Sequence, residues 1–235
     1  MWSPMLITLV DAMGCDNTVV SSARVSFNSN PGGYEGGTIK AERLINYLAK
    51  HNHWTPFAHC FSSFAVTVPI FVARQWFKHT VGFAYNEVSR RYVNDTPDMW
   101  YTTSWRSKPE GNIKQGSSSK IIPMEEETSQ LMLNARDHYE KLIEQGVAPE
   151  MARMVLPQAT MTKFRVTGSL AAWARFYNLR ADDHAQHEIR WCAQEIGDNM
   201  MELFPISWAA LCNNCELKES TDGETYDNTT DKKEG

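Results

Sequence analysis

A chain of 235 residues, 42% apolar and with a formal charge of -5, can bury a proper hydrophobic core and falls among ordinary globular proteins. The mild negative balance disfavours a general nucleic-acid binder, and no uninterrupted apolar stretch reaches the length that crosses a bilayer. The five cysteines, Cys15, Cys60, Cys192, Cys212 and Cys215, read as reduced thiols of a cytoplasmic protein rather than a disulfide framework.

Met5 to Val10 is an apolar run without a basic leader, so an opening strand is expected there rather than a signal peptide. Asn, Pro and Gly from Asn28 to Gly37 predict a loop, and Thr38 can cap a helix carrying Ala41, Leu44, Ile45 and Leu48 at helical spacing. His51 to Pro56 breaks it. Phe61 to Val68 alternates with Phe64, Val66 and Val68 on one face, and Pro69 then opens a helix from Ile70 to about His79.

Thr96 to Ser119 has no period and is expected as an excursion, either a lid or an insertion. Glu125 to Gln145 predicts a long amphipathic helix with Leu131, Ala135, His138, Tyr139 and Leu142 toward one side. Pro149 to Val155 is a short helix, and Thr160 to Thr167 alternates as a strand. Ser169 can cap a helix from Leu170 to Leu179, and Asp182 or Asp183 another, with Ile189, Cys192, Ala193, Ile196 and Met200 as its buried stripe before Pro205. The tail from Glu216 holds almost nothing apolar and is expected to be disordered. The pattern predicts an α+β class, one domain over residues 1–215 followed by a polar tail over 216–235.

Arg74 to Tyr92, RQWFKHTVGFAYNEVSRRY, is the densest polar segment. Arg74 and Lys78 share a helix side, as do Gln75 and His79, and this supply of guanidinium and ammonium groups suits an anion. A solvated basic stretch with acidic partners explains it equally well. Arg153, Arg175 and Arg180 lie in mostly apolar surroundings, where each needs a partner, and the Asp pair after Arg180 offers an ordinary salt bridge. His51, His53, His59 and Cys60 supply enough ligands for zinc but serve as easily as ring donors, and the CxxC of Cys212 and Cys215 lacks a second pair.

Three ordered blocks resemble the flavin-dependent thymidylate synthases. They are Arg74-Gln75-Trp76 with Lys78-His79-Thr80 and Asn86-Glu87-Val88-Ser89-Arg90-Arg91-Tyr92; His53-Trp54-Thr55-Pro56-Phe57-Ala58-His59; and Asn178-Leu179-Arg180 through Glu188-Ile189-Arg190. Arg153 before Met154-Val155-Leu156-Pro157 agrees as well. Lys78 and Thr80 stand where the family has arginines, and the stretch from Thr80 to Ser89 holds one residue more than the family's spacing.

The resemblance implies a single-domain α+β fold of that type, with a mixed sheet and long helices. It implies methylation of dUMP to dTMP with 5,10-methylenetetrahydrofolate, NADPH and FAD, in a homotetramer with shared sites. Carried over residue by residue, Gln75, Lys78, Glu87, Ser89, Arg91, Arg153 and Arg180 would line the dUMP site, with Arg180 catalytic at the uracil ring. His53, Thr55, Lys78, His79, Glu87 and Arg175 would surround FAD. Ser89 is not read as a nucleophile. A flavin- and nucleotide-binding relative of altered activity is the alternative.

Overall fold

The structure is a computed structural model that describes residues 3–27, 38–111 and 116–212. The loop expected at Asn28 to Gly37, the capping side chain of Thr38, Cys215 and the polar tail lie outside the described residues.

Four strands form the main sheet in the order β1-β2-β6-β3: β1 (Leu6–Met13), β2 (Phe61–Pro69), β3 (Phe83–Glu87) and β6 (Met161–Ser169). A short hairpin, β4 (Ser104–Arg106) with β5 (Ile121–Pro123), stands apart. The helices are α1 (Asp16–Arg24), α2 (Thr38–Lys50), α3 (Ile70–Trp76), α4 (Glu126–Glu144), α5 (Pro149–Ala152), α6 (Leu170–Arg180), α7 (His187–Leu203) and α8 (Pro205–Leu211). The α+β class with long helices stands. The sheet was expected to be mixed, but every pairing in it is antiparallel.

That pairing follows from two strand-to-helix units laid head to tail. β2 runs directly into α3 and β6 directly into α6, and they pair from Phe61↔Ser169 to Pro69↔Met161. Each helix start is tied to the residue just before the other strand's register: Ile70 N donates to Thr160 O at 2.9 Å, and Leu170 N to Cys60 O at 2.8 Å. Antiparallel strands put the two helices at opposite ends of one core face. Ser169 caps α6 as expected, its Oγ accepting from Ala172 N at 3.3 Å.

Alternation sends Phe64, Val66 and Val68 of β2 and Phe164 and Val166 of β6 under the helices. There they meet Trp76, Trp173 and Phe176, all fully buried; the Trp76 ring lies 5.3 Å from Phe164 and 4.7 Å from Phe176. Each buried indole removes roughly 150–250 Å² from water, worth about 4–6 kcal/mol in transfer free energy. The predicted stripe of α7 is fully buried, from Ile189 to Met200. Among the described residues no helix lies on the sheet's other face, where Leu6, Thr8, Ala84, Asn86, Lys163 and Arg165 are exposed.

Several expectations are corrected. The helix opened by Pro69 ends at Trp76 rather than His79, and the chain then turns into β3, which the motif's charged residues hid. Neither Asp182 nor Asp183 caps α7. Asp182 Oδ1 accepts from His184 N at 2.8 Å within a turn, and the helix begins after Gln186. On α4, Tyr139 is fully buried but Leu131 is 69% exposed and His138 also faces out, because α4 packs against α5 and the turn after it. The excursion is partly regular: Met99 is fully buried and bridged to Thr160, and the β4–β5 arm follows. Past the stripe, Pro205 opens a further helix, α8. No described helix is long and apolar enough to cross a membrane.

Candidate active site

The predicted residues fall into three groups. The first joins the end of α3 to the end of α6. Arg180 Nε donates to His79 Nε2 at 2.9 Å, and Arg180 Nη2 donates to the Gln75 carbonyl at 3.2 Å. Arg175, just over a turn earlier on α6, donates from Nη2 to Val81 O at 2.8 Å. The turn from Phe77 to Gly82 thus lies against α6, and Tyr85 of β3 closes it by donating to His79 O at 2.7 Å.

His79 accepts through Nε2, so it is the neutral imidazole with its proton on Nδ1. Burial lowers its pKa to about 4, and the charges of Arg180 and Arg175 push in the same direction. Burial also lowers the pKa of Arg180, which marks a guanidinium partly removed from water. Because His79 stays neutral in the fold and would protonate below about pH 6.5 once unfolded, its contribution to stability is complete above that pH. It is lost as pH falls toward about 4. His79→Gln keeps an acceptor for Arg180 but cannot titrate. Urea midpoints between about pH 7 and about pH 4.5 should therefore fall less steeply in this variant than in the native chain; parallel curves would contradict the assignment.

Gly82 makes the turn possible. Its φ is +82°, and a Cβ there would sit 2.9 Å from the Ala172 Cβ and 3.2 Å from the Ser169 Oγ. Gly82→Ala is expected to lower stability by about 1–3 kcal/mol from backbone strain alone. An unchanged denaturant midpoint would show that the turn relaxes freely.

The second group lies at the end of β3. Glu87, Ser89 and Arg153 line one cavity of about 360 Å³ with Ile70, Leu156 and Thr162. Glu87 Oε1 accepts from the Thr162 hydroxyl at 2.6 Å, which fixes the carboxylate beside the cavity. Arg153 donates from Nε to the Glu150 carbonyl at 3.2 Å, and Arg91 pairs with the Glu150 carboxylate at 3.3 Å with both side chains about half exposed. Arg91 is therefore partly neutralised at the rim. Such an exposed pair is weak.

The third group, His53 and Thr55, is exposed at the 3-10 turn Thr55–His59. His53 sits among rings, 6.1 Å from Tyr47 and 6.4 Å from His51. Among the described residues no hydrogen bond, ion pair or ring contact joins His53 or Thr55 to the other two groups, and Lys78 is exposed without such a contact.

The arginine question is decided by geometry. Arg180 does not pair with the aspartates that follow it; Asp183 takes Arg190 at 3.2 Å. Among the described residues Arg153, Arg175, Arg180 and Lys78 have no carboxylate partner. Positive charge left without a carboxylate is what an anionic ligand can use.

Gln186 and Glu188 were not singled out as site residues. Gln75 Nε2 donates to Gln186 Oε1 at 2.6 Å, and Gln186 Nε2 donates to Glu188 Oε2 at 2.8 Å. A signal for Glu188 existed: it lies four residues before Cys192 on the buried stripe of α7, where a carboxylate needs a partner.

The model of the family Thymidylate synthase complementing protein (Thy1) matches residues 8–206. The flavin-dependent thymidylate synthase of Thermosipho africanus is 39% identical over 213 residues, covering 87% of this chain and 90% of the relative. This chain belongs to the flavin-dependent thymidylate synthase family. The enzyme of that name from Thermotoga neapolitana is 37% identical over 207 residues, again covering 87% of this chain. Among solved structures, the UMP/dUMP methylase PolB from Streptomyces cacaoi bound with 5-Br dUMP superposes with a TM-score of 0.78 at 25% identity, covering 89% of this chain and 95% of PolB. The strand-to-helix units and the α6–α7 segment described above all fall within the span that the thymidylate synthase family model matches.

Proposed function

We propose that this chain methylates dUMP at C5 to give dTMP, with 5,10-methylenetetrahydrofolate as carbon donor and NADPH, through FAD, as reductant. The observation that carries the proposal is the partly buried Arg180 guanidinium, without a carboxylate partner among the described residues and aimed by neutral His79. Uracil C5 attacks carbon when the ring carries enolate-like negative charge, shared between C5 and the N3–O4 edge. A fixed cation at that edge stabilises the charge that develops, and is worth most where water is scarce. Nε and one Nη2 proton of Arg180 are committed to the protein, which leaves its other N–H groups for the ring.

The other residues bind rather than react. Arg153, which lines the cavity with Glu87 and Ser89, would meet the nucleotide phosphate together with Arg91, and Gln75 and Lys78 would complete the dUMP site. Ser89 Oγ accepts from Arg91 N at 3.3 Å and has no hydrogen-bonded base among the described residues, which suits a binding role and not a nucleophile's.

His53, Thr55, Lys78, His79, Glu87 and Arg175 would hold FAD. The donor set fits: Lys78 and Arg175 lack carboxylate partners among the described residues and suit its diphosphate, while exposed His53 and Trp54 suit a planar ring system. When bound, FAD supplies the electrons that complete the methyl group. Because no contact joins His53 or Thr55 to the other groups among the described residues of one chain, the reading includes a homotetramer with sites shared between copies. The sheet face bearing Leu6, 58% exposed and without a helix on it among the described residues, supports such an assembly. The same reading takes residues 1–215 as one catalytic domain.

A second reading, a flavin- and nucleotide-binding relative of altered activity, is favoured by Thr80, exposed and uncharged where the family pattern has arginine. For substrate, the higher identity to thymidylate synthases than to PolB favours dUMP over UMP. Titrating dUMP into flavin-loaded protein, with UMP in parallel, should change the flavin absorbance and favour dUMP. Flavin retained with no response to dUMP would count against the proposal.

A further inference from the structure

Glu188 is a buried carboxylate, 2% exposed, in the first turn of α7, and both its oxygens are engaged. Oε1 accepts from Arg106 Nη2 at 2.7 Å and Oε2 from Gln186 Nε2 at 2.8 Å. Arg106 belongs to β4, and its Nε donates to Ser117 Oγ at 2.8 Å across the arm. Gln186 Oε1 then accepts from Gln75 Nε2 at 2.6 Å, and the main-chain carbonyl of Gln75 accepts from Arg180 Nη2 at 3.2 Å. A continuous set of hydrogen bonds therefore runs from the β4–β5 arm to the candidate active site.

This set has a direction. The two ends of a glutamine amide have nearly the same shape, so packing alone does not choose between them. An ionised carboxylate only accepts, so Gln186 must turn its NH₂ toward Glu188. Its carbonyl oxygen is then the atom left for Gln75, and Gln75 must give its own NH₂. What remains is Gln75 Oε1, which makes no hydrogen bond among the described residues. Gln75 is thereby set to accept from a ligand and not to donate to it.

We propose that Arg106 is a positioning residue which, by anchoring the Glu188 carboxylate, sets the polarity of Gln186 and Gln75 so that Gln75 Oε1 accepts from an N–H or O–H of the bound nucleotide. The proposal rests on the reading of dUMP at Gln75. Without the cation, Glu188 is a buried charge left unpaired, and it must move, hydrate or take up a proton. Each response releases Gln186. A guanidinium that merely stapled the arm to α7 would change stability when removed but leave the Gln75 amide as it was.

The test uses full-length, flavin-loaded protein carrying ¹⁵N-glutamine, with the two side-chain amides assigned from Gln75→Ala and Gln186→Ala spectra. In Arg106→Met the Gln75 and Gln186 amide signals should shift, and dUMP affinity should fall about fivefold to tenfold, the scale of one ligand hydrogen bond. Arg106→Lys keeps a cation for Glu188 and should restore most of both. Amide signals that stay in place in folded Arg106→Met overturn the proposal, whether or not dUMP binds. Shifted signals with unchanged dUMP affinity overturn the ligand-facing role of Gln75. If the native protein does not bind dUMP yet the signals shift, the relay stands and the dUMP reading fails. Should Arg106→Met not fold, Arg106→Gln, which keeps a donor but loses the charge, is read in the same way.

Discussion

Arg180→Ala is expected to lower turnover of dUMP by about 10²–10³-fold, the usual cost of deleting one preorganised group that stabilises developing charge. Two hydrogen bonds hold the guanidinium before any ligand arrives, one to His79 Nε2 and one to the Gln75 carbonyl. No reorganisation is then needed as the uracil ring gains charge. Arg180→Lys should recover little, because an ammonium on a flexible stem cannot satisfy His79 and the carbonyl while still presenting a planar pair of donors. Saturating steady-state kinetics separate the effect from binding. A variant that keeps its turnover and loses only affinity would assign Arg180 to holding the ground state instead.

Arg153→Ala is expected to weaken dUMP binding about tenfold to a hundredfold, the range of a charge-assisted hydrogen bond, while flavin retention changes little. Arg153 lines the cavity with Glu87 and Ser89 and has no carboxylate partner among the described residues, so its charge is available to a phosphate. Arg91, the other arginine expected there, already pairs with Glu150 at 3.3 Å, and its removal should cost less. A dUMP titration compares the two. Equal affinity in Arg153→Ala and the native chain would remove Arg153 from the phosphate site.

Much of the fold could be read in advance because its signals are local. The alternation of Phe64, Val66 and Val68, the proline before Ile70, the Ser169 cap and the Ile189 to Met200 stripe each report on a few neighbouring residues, and the structure places them as read. β3 was hidden because its five residues, FAYNE, sit in a charged motif and take their order from pairing with β6, 77 to 85 residues further along the chain. The arm was hidden for the same reason: β4 and β5 are short, and Arg106 reaches a partner on α7. At the candidate site, sequence blocks named Gln75, His79 and Arg180, which the fold brings into contact. They could not show whether Arg180 pairs with the aspartates that follow it or serves the site, because only the turn after α3 brings His79 to it. Nor could they show that His53 and Thr55 stay apart from the rest within one chain. That separation depends on how elements distant in sequence are arranged, which residue patterns do not encode locally.

The central claim is tested most directly by mixing the purified protein with FAD, dUMP, 5,10-methylenetetrahydrofolate and NADPH in the absence of oxygen and measuring dTMP. The expected result is dTMP that disappears when FAD is stripped and returns when it is restored, with Lys78, Thr80 and the extra residue between Thr80 and Ser89 tolerated. Folded, flavin-loaded protein that binds dUMP yet forms no dTMP would contradict it.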